Sequence, residues 1–200
     1  MIRRQLITAF GVTVALTVLL GVVYPLAVWG VGQAAFRHQA DGSFVTQNGK
    51  VVGSSLIGQS FADKDGNPDL RYFQPRPSAA GDKGYDAMSS SSSNYGPSNQ
   101  KFLDAVKQRV DDYRAAYHLG PNDTVPVDAV TASGSGLDPQ ISLANALIQA
   151  RTVAARRRMT VGDVTALVMS HTDDRQLGFL GEKAVTVLEL NLALDNAQSR

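Results

Sequence analysis

Two hundred residues with 44% hydrophobic and 18% charged side chains exclude a wholly disordered chain and fit one domain or two small ones. Nineteen Lys and Arg against 18 Asp and Glu leave a net charge of +1, without the basic excess of a nucleic-acid binder. The absence of cysteine excludes disulfides, thiolate nucleophiles and Cys-ligated zinc or iron–sulfur centres.

The averages hide a division at the amino end. Residues 6–31, LITAFGVTVALTVLLGVVYPLAVWGV, carry no ionisable side chain except the phenol of Tyr24. As a helix they rise on the order of 39 Å, enough to cross a hydrocarbon core of ~30 Å. A cleaved signal peptide needs a shorter apolar run and a small-x-small cleavage site, so a retained anchor is the better reading. Pro25 removes one backbone donor and is expected to kink the helix. Tyr24, Trp29 and Phe36 stand where an interfacial aromatic belt belongs. Arg3 and Arg4 precede the run and Arg37 alone follows it closely. That bias puts the amino terminus in the cytoplasm, with residues 1–36 as terminus and anchor and 37–200 as an extracytoplasmic domain. Gly11 and Ala15 form a small-xxx-small pair and Thr13 and Thr17 lie one turn apart on a second face, residues suited to packing on another membrane helix.

Beyond the anchor, residues 44–46 and 50–52 flank Gln47-Asn48-Gly49 as a hairpin, and Asp41-Gly42 and Asp65-Gly66 read as turns. The serine run 89–93 reads as an exposed loop. Ser98 is expected to cap a helix carrying Phe102, Val106, Val110, Tyr113 and Tyr117 at helical spacing. Residues 125–131 read as a short strand. Ser142 caps a second helix through Leu143, Leu147, Ala150 and Ala154, and Thr160 with Asp163 opens a third through Val164, Leu167 and Val168. Alternation and branched residues over 184–194 predict a strand. The fold class expected is a single N-terminal transmembrane helix followed by one α+β soluble domain.

The chemistry-bearing motifs are weak. Gly53-Ser54-Ser55-Leu56-Ile57-Gly58-Gln59-Ser60 resembles a phosphate loop, yet Gln59 replaces the lysine that attracts phosphate. Thr131-Ala132-Ser133-Gly134-Ser135-Gly136 offers serines among glycines without the G-x-S-x-G elbow. Ser133, Asp138 and His171 can be drawn as a triad, and an anchored hydrolase using Ser133 or Ser135 is the alternative function to weigh. His38, His118 and His171 lack ligand spacing, so no metal site is expected. Arg151, Arg156, Arg157 and Arg158 read as a solvated helix end.

Several blocks in order resemble one family: Tyr24-Pro25-Leu26, the Gly53–Gln59 stretch just quoted, Tyr72-Phe73-Gln74-Pro75-Arg76-Pro77-Ser78-Ala79 and Ser93-Asn94-Tyr95-Gly96-Pro97-Ser98-Asn99. Val125-Pro126-Val127-Asp128 and Thr131-Ala132-Ser133-Gly134-Ser135-Gly136-Leu137-Asp138-Pro139 follow. His171-Thr172, Arg175, Leu177-Gly178, Leu180-Gly181-Glu182 and residues 188–195 complete the match. Together they resemble the KdpC subunit family of the bacterial high-affinity potassium-transporting P-type ATPase. The resemblance implies a non-catalytic, single-pass inner-membrane subunit. Its partners would be a channel-like potassium-binding subunit, an ATP-hydrolysing P-type subunit and a small membrane peptide. It further implies a catalytic chaperone that raises the hydrolysing subunit's ATP affinity, with no firmly bound cofactor, ATP met through the complex, and potassium as the transported ion. The charge bias, which puts the domain outside, separates it from cytoplasmic ATP. Gln140 stands where the family often has His, which counts against any mechanism relying on an imidazole there. Expected contact residues are Arg76, Asn94, Asn99, Ser133, Ser135, Asp138, His171 and Arg175, of which Asn99 and Asp138 read rather as loop-fixing groups. Charge reversal at Arg76 or Arg175 is expected to weaken complex recovery without unfolding the domain.

Overall fold

Apolar side chains lie on every face of the first segment, and as a helix it is long and apolar enough to cross a membrane. The computed structural model, which describes residues 2–198, has one helical rod over Ile2–Ala35 with none of its apolar window buried. It consists of α1 (Ile2–Val18), a π-helical turn (Leu19–Val23) and α2 (Tyr24–Ala35). The π turn accounts for Pro25. A proline ring clashes with the carbonyl four residues back, and here the Tyr24 amide bonds Leu19 O, five residues back, so the ladder widens just ahead of the ring. Gly11 has open space around it. A short α3 (Arg37–Ala40) and the turn at Asp41-Gly42 lead to the hairpin of β1 (Phe44–Gln47) and β2 (Lys50–Ser54). Asn48 and Gly49 both have positive φ, 52° and 74°, as a two-residue hairpin turn demands.

Packing divides the chain between Val52 and Gly53. The second unit is a mixed α/β domain. Its helices are α4 (Gln100–Tyr117), α5 (Val127–Val130), α6 (Leu143–Arg157), α7 (Val161–Ser170) and α8 (Val187–Gln198). β3 (Gln140–Ser142), β5 (Ala184–Thr186) and β4 (Thr172–Asp173) form a small antiparallel sheet in that order, with Ile141 opposite Val185 and Thr172 opposite the same residue. The core joins Ala146, Ala150, Val153 and Ala154 of α6 to Val164 and Val168 of α7 and Leu190 and Leu194 of α8, capped by Phe73, Ile141 and Val185. Each fully buried Val, Leu or Ile contributes roughly 1.5–3 kcal/mol.

Ser142 and Thr160 cap α6 and α7 as expected, their hydroxyls accepting from the Asn145 and Asp163 amides. Three expectations need correction. Asn99, not Ser98, caps α4, its side chain accepting from the Lys101 amide. Residues 125–131 hold a helical turn, not a strand, because Asp128 must reach the start of α6, where it accepts from Ser142 N, Ser142 Oγ and Asn145 Nδ2. A carboxylate there also meets the positive end of the helix dipole. Finally, only Ala184–Thr186 of the segment 184–194 is strand. Val187, Leu190, Asn191 and Leu194 are buried at helical spacing, and the apparent alternation comes from Glu189 between two leucines.

Candidate functional site

The Gly-Ser loop 131–139 is the centre on which the quoted motifs converge. The irregular segment 72–78 runs past it and is held on both sides by side-chain amides. Asn191 Oδ1 accepts from Phe73 N at 2.8 Å and its Nδ2 donates to Phe73 O at 3.0 Å. Gln149 does the same for the next residue, accepting from Gln74 N at 2.7 Å and donating to Gln74 O at 3.0 Å. Both amides are 1% exposed, so they serve as the strand partner that this segment lacks. The network continues through Asn145 Oδ1, which accepts from Gln149 Nε2 and Tyr113 Oη, and Tyr117 Oη donates to Gln149 Oε1.

With its backbone fixed, the segment delivers Arg76 to the loop. Arg76 Nη1 donates to Asp138 Oδ2 at 2.8 Å, both side chains about one-quarter exposed. Asp138 Oδ1 in turn accepts from Gln140 N, and the Tyr85 hydroxyl donates to Arg76 O. Burial, then the nearby Asp138 charge, pushes the Tyr85 phenol well above its usual range. Ser78 Oγ donates to Gly136 O at 2.6 Å. Gly136 itself has φ +69°, and a Cβ there would sit 2.5 Å from Ser91 O and 2.8 Å from Ala80 N. Only glycine lets three strands of loop approach so closely. The Gly58 amide, which a phosphate loop would turn toward its ligand, donates to Leu137 O, and a Cβ on Gly58 would lie 2.5 Å from Asp138 O.

The serines of the loop are also engaged locally. Ser133 Oγ accepts from Gly136 N at 2.9 Å and Ser135 Oγ from Leu137 N at 3.1 Å. His171 sits at the end of α7 with Nδ1 2.9 Å from Leu167 O and 3.1 Å from Ser170 Oγ. Among the described residues no hydrogen bond joins Ser133 or Ser135 to His171, and Asp138 holds Arg76, so the drawn triad is not assembled. Ser90 Oγ and Ser91 N both donate to Ser135 O, tying the serine run to the same loop. Asn94, at φ +52°, accepts from Ser92 Oγ, and Asn99 is the cap of α4, so these two fix loop and helix start. Gln140 Nε2 reaches across the sheet to Asp173 Oδ2 at 3.0 Å.

Arg175 belongs to a second region, a turn over residues 174–183. It pairs with Glu182 at 2.7 Å, and Lys183 pairs with Asp174 at 2.7 Å. The Lys183 ammonium holds the Asp174 carboxyl below the usual carboxylate range.

Sequence reasoning missed the interior amides and Arg157. The latter is not solvated: it is 6% exposed, pairs with Asp195 at 2.8 Å, donates to Arg71 O and stacks 4.5 Å from the Tyr72 ring centre. A legible signal was Asn145 and Gln149 at i, i+4, on the same face of α6 as Ala146, Ala150 and Val153. Among the described residues no group of three His, Asp or Glu side chains is arranged for a metal ion.

The model of the family described as KdpC, the K+-transporting ATPase c chain, matches residues 6–196. The chain belongs to the KdpC family. It is 54% identical over 193 residues to the potassium-transporting ATPase KdpC subunit of Mycobacterium tuberculosis strain H37Rv, covering 96% of this chain and 98% of that relative. It is 46% identical over 196 residues to the Koribacter versatilis KdpC subunit, covering 98% and 96%, and 51% identical over 180 residues to that of Janthinobacterium sp., covering 90% and 92%. Members are accessory, non-catalytic subunits of the potassium-transporting ATPase.

Proposed function

We propose that the domain beyond the anchor stands on the outer face of the inner membrane, caps the potassium entrance of the channel-like subunit and stabilises the assembled complex. The observation that carries this reading is the bracing of the Gly-Ser loop by Arg76–Asp138 and Ser78–Gly136. A loop cluster fixed in this way loses little entropy on docking, which suits a shape-specific protein contact. The outward orientation follows from Arg3 and Arg4 ahead of an apolar rod whose far end has Arg37 alone close by. Gly11 with Ala15 on one side of the helix, and Thr13 with Thr17 on another, offer small and hydrogen-bonding residues for packing on membrane partners. Support for ATP use then passes through the hydrolysing subunit, by favouring the assembled state, and not through nucleotide bound to this domain.

Two measurements test the reading. The chain has no cysteine, so Lys101→Cys, exposed on α4, gives a single label site. A membrane-impermeant maleimide added to intact spheroplasts should label it; labelling only after permeabilisation would overturn the orientation. A carboxyl-terminally tagged chain purified in mild detergent should bring down the other subunits with potassium-stimulated ATP hydrolysis. Recovery of the tagged chain alone would overturn the role in the complex.

A further inference from the structure

The turn over residues 174–183 displays apolar side chains that the domain itself does not use. Leu177 is 83% exposed, Phe179 68% and Leu180 47%. They are not on a floppy tip. Gln176 and Leu180 exchange both backbone hydrogen bonds at 2.9 Å, and Gly178 N donates to Arg175 O. Leu177 is held at φ +54°, a conformation that a non-glycine side chain enters only when its surroundings enforce it, and Gly178 and Gly181 follow at +82° and +79°. Below this tip the Arg175–Glu182 and Lys183–Asp174 pairs staple the two arms together. The result is an apolar knob on a charged collar, built without contribution to the core.

Three occupants compete for such a knob, and the collar discriminates among them. A loop that enters an anionic bilayer carries basic residues beside its apolar tip. Between residues 173 and 183 there are three acids against two bases, and both bases are already paired. A second copy would bring the same acid excess against itself. A protein socket suits the arrangement, because both ion pairs stay at the rim and only neutral side chains are desolvated.

We infer that Leu177, Phe179 and Leu180 form a docking knob that inserts into an apolar socket, rimmed by neutral or basic groups, on another subunit of the ATPase complex. This rests on the outward, complex-stabilising role proposed above, and it adds the surface by which that role is exerted.

The test places photoreactive benzoylphenylalanine at position 179 of the full chain, co-expressed with the remaining subunits, and maps the adduct by mass spectrometry in membranes. The expected adduct lies on an apolar segment of another subunit. Adducts on lipid or on a second copy overturn the inference, as does the absence of an adduct where the intact complex is recovered. If the unsubstituted chain recovers no complex, the proposed function fails and the inference falls with it. In parallel, the double variant Leu177→Asp, Phe179→Asp should reduce recovered partner subunits about tenfold or more. Met88→Asp, at a still more exposed apolar side chain on a different loop, should leave recovery unchanged. Near-UV circular dichroism of the double variant should match the parent, since the tip touches none of the core. Parent-like recovery by the double variant overturns the inference.

Discussion

Segment 72–78 and turn 174–183 are both rich in the residues that carry the family resemblance, yet the fold treats them in opposite ways. The first is turned inward: Phe73 is fully buried, its backbone is clamped by Asn191, and its arginine is consumed by Asp138. The second is turned outward, with Leu177 and Phe179 in solvent and its arginine in an exposed pair. A motif residue thus marks a brace in one region and a displayed surface in the other. Which it is depends on what the backbone beside it lacks. Segment 72–78 has no strand to pair with and recruits side chains to satisfy its amides, whereas turn 174–183 satisfies its own.

The sharpest way to break that contrast is Asn191→Leu. It leaves the buried Phe73 N–H and C=O without partners, and each orphaned group costs about 1–3 kcal/mol. A loss of roughly 2–5 kcal/mol in urea unfolding of the detergent-solubilised chain is expected. A loss below about 1 kcal/mol would mean that the clamp is not what holds the segment. Arg76→Glu comes next. It sets two carboxylates side by side where 2.8 Å now separates guanidinium from carboxylate, and should destabilise the domain by about 2 kcal/mol. The sequence reading expected lost complex recovery there without unfolding. The geometry makes the fold itself part of the effect, so Arg76 is a poor reporter of contact.

Much of the helical frame was legible because its signals are local. Ser142 and Thr160 sit at cap positions, and the long apolar helix over Ile2–Ala35 announces itself by length and hydropathy. The start of α8 was not legible, since Leu-Glu-Leu-Asn-Leu satisfies a two-residue period as well as a helical one until Phe73 and Val187 define the inside. Asp128 was hidden for a different reason: its role depends on Ser142 and Asn145, more than a dozen residues away. At the site, Arg76 and Asp138 could be picked out individually, but their pairing is a tertiary fact. The interior amides went unread because Asn and Gln are ordinarily surface residues, and only their place on an apolar face betrays them.

The buried phenols give a smaller, pH-dependent test of the inner region. Burial pushes Tyr113, Tyr117 and Tyr85 above the ordinary phenol value; nearby charge adds to this at Tyr113 (Tyr117, Asp128) and at Tyr85 (Asp138). A group that holds its proton more tightly when folded stabilises fully below the unfolded value, and that contribution is lost as pH rises past it. Stability should therefore fall above pH about 10, by up to about 1.4 kcal/mol per pH unit for each such tyrosine. Urea midpoints between pH 9 and 12 measure the slope. Tyr117→Phe should flatten it by one group's share, and an unchanged slope would remove Tyr117 from the account.

The smallest effect on stability belongs to the outer region, and its smallness is what makes it informative. Arg175 and Glu182 are 45% and 84% exposed, so solvent screens their attraction and Arg175→Glu should move the unfolding midpoint by no more than about 0.5 kcal/mol. The same substitution unpairs Glu182 and adds a third acid to the two of the collar, Asp174 and Glu182, which a socket rim suited to the present charges does not match. Complex recovery should therefore fall while the melt stays in place, the separation that Arg76→Glu cannot provide. Normal recovery would show that the staple contributes nothing to docking and would confine the contact to the apolar tip. A shifted melt would show instead that turn 174–183 supports the fold, and the distinction between an inner brace and an outer knob would not hold.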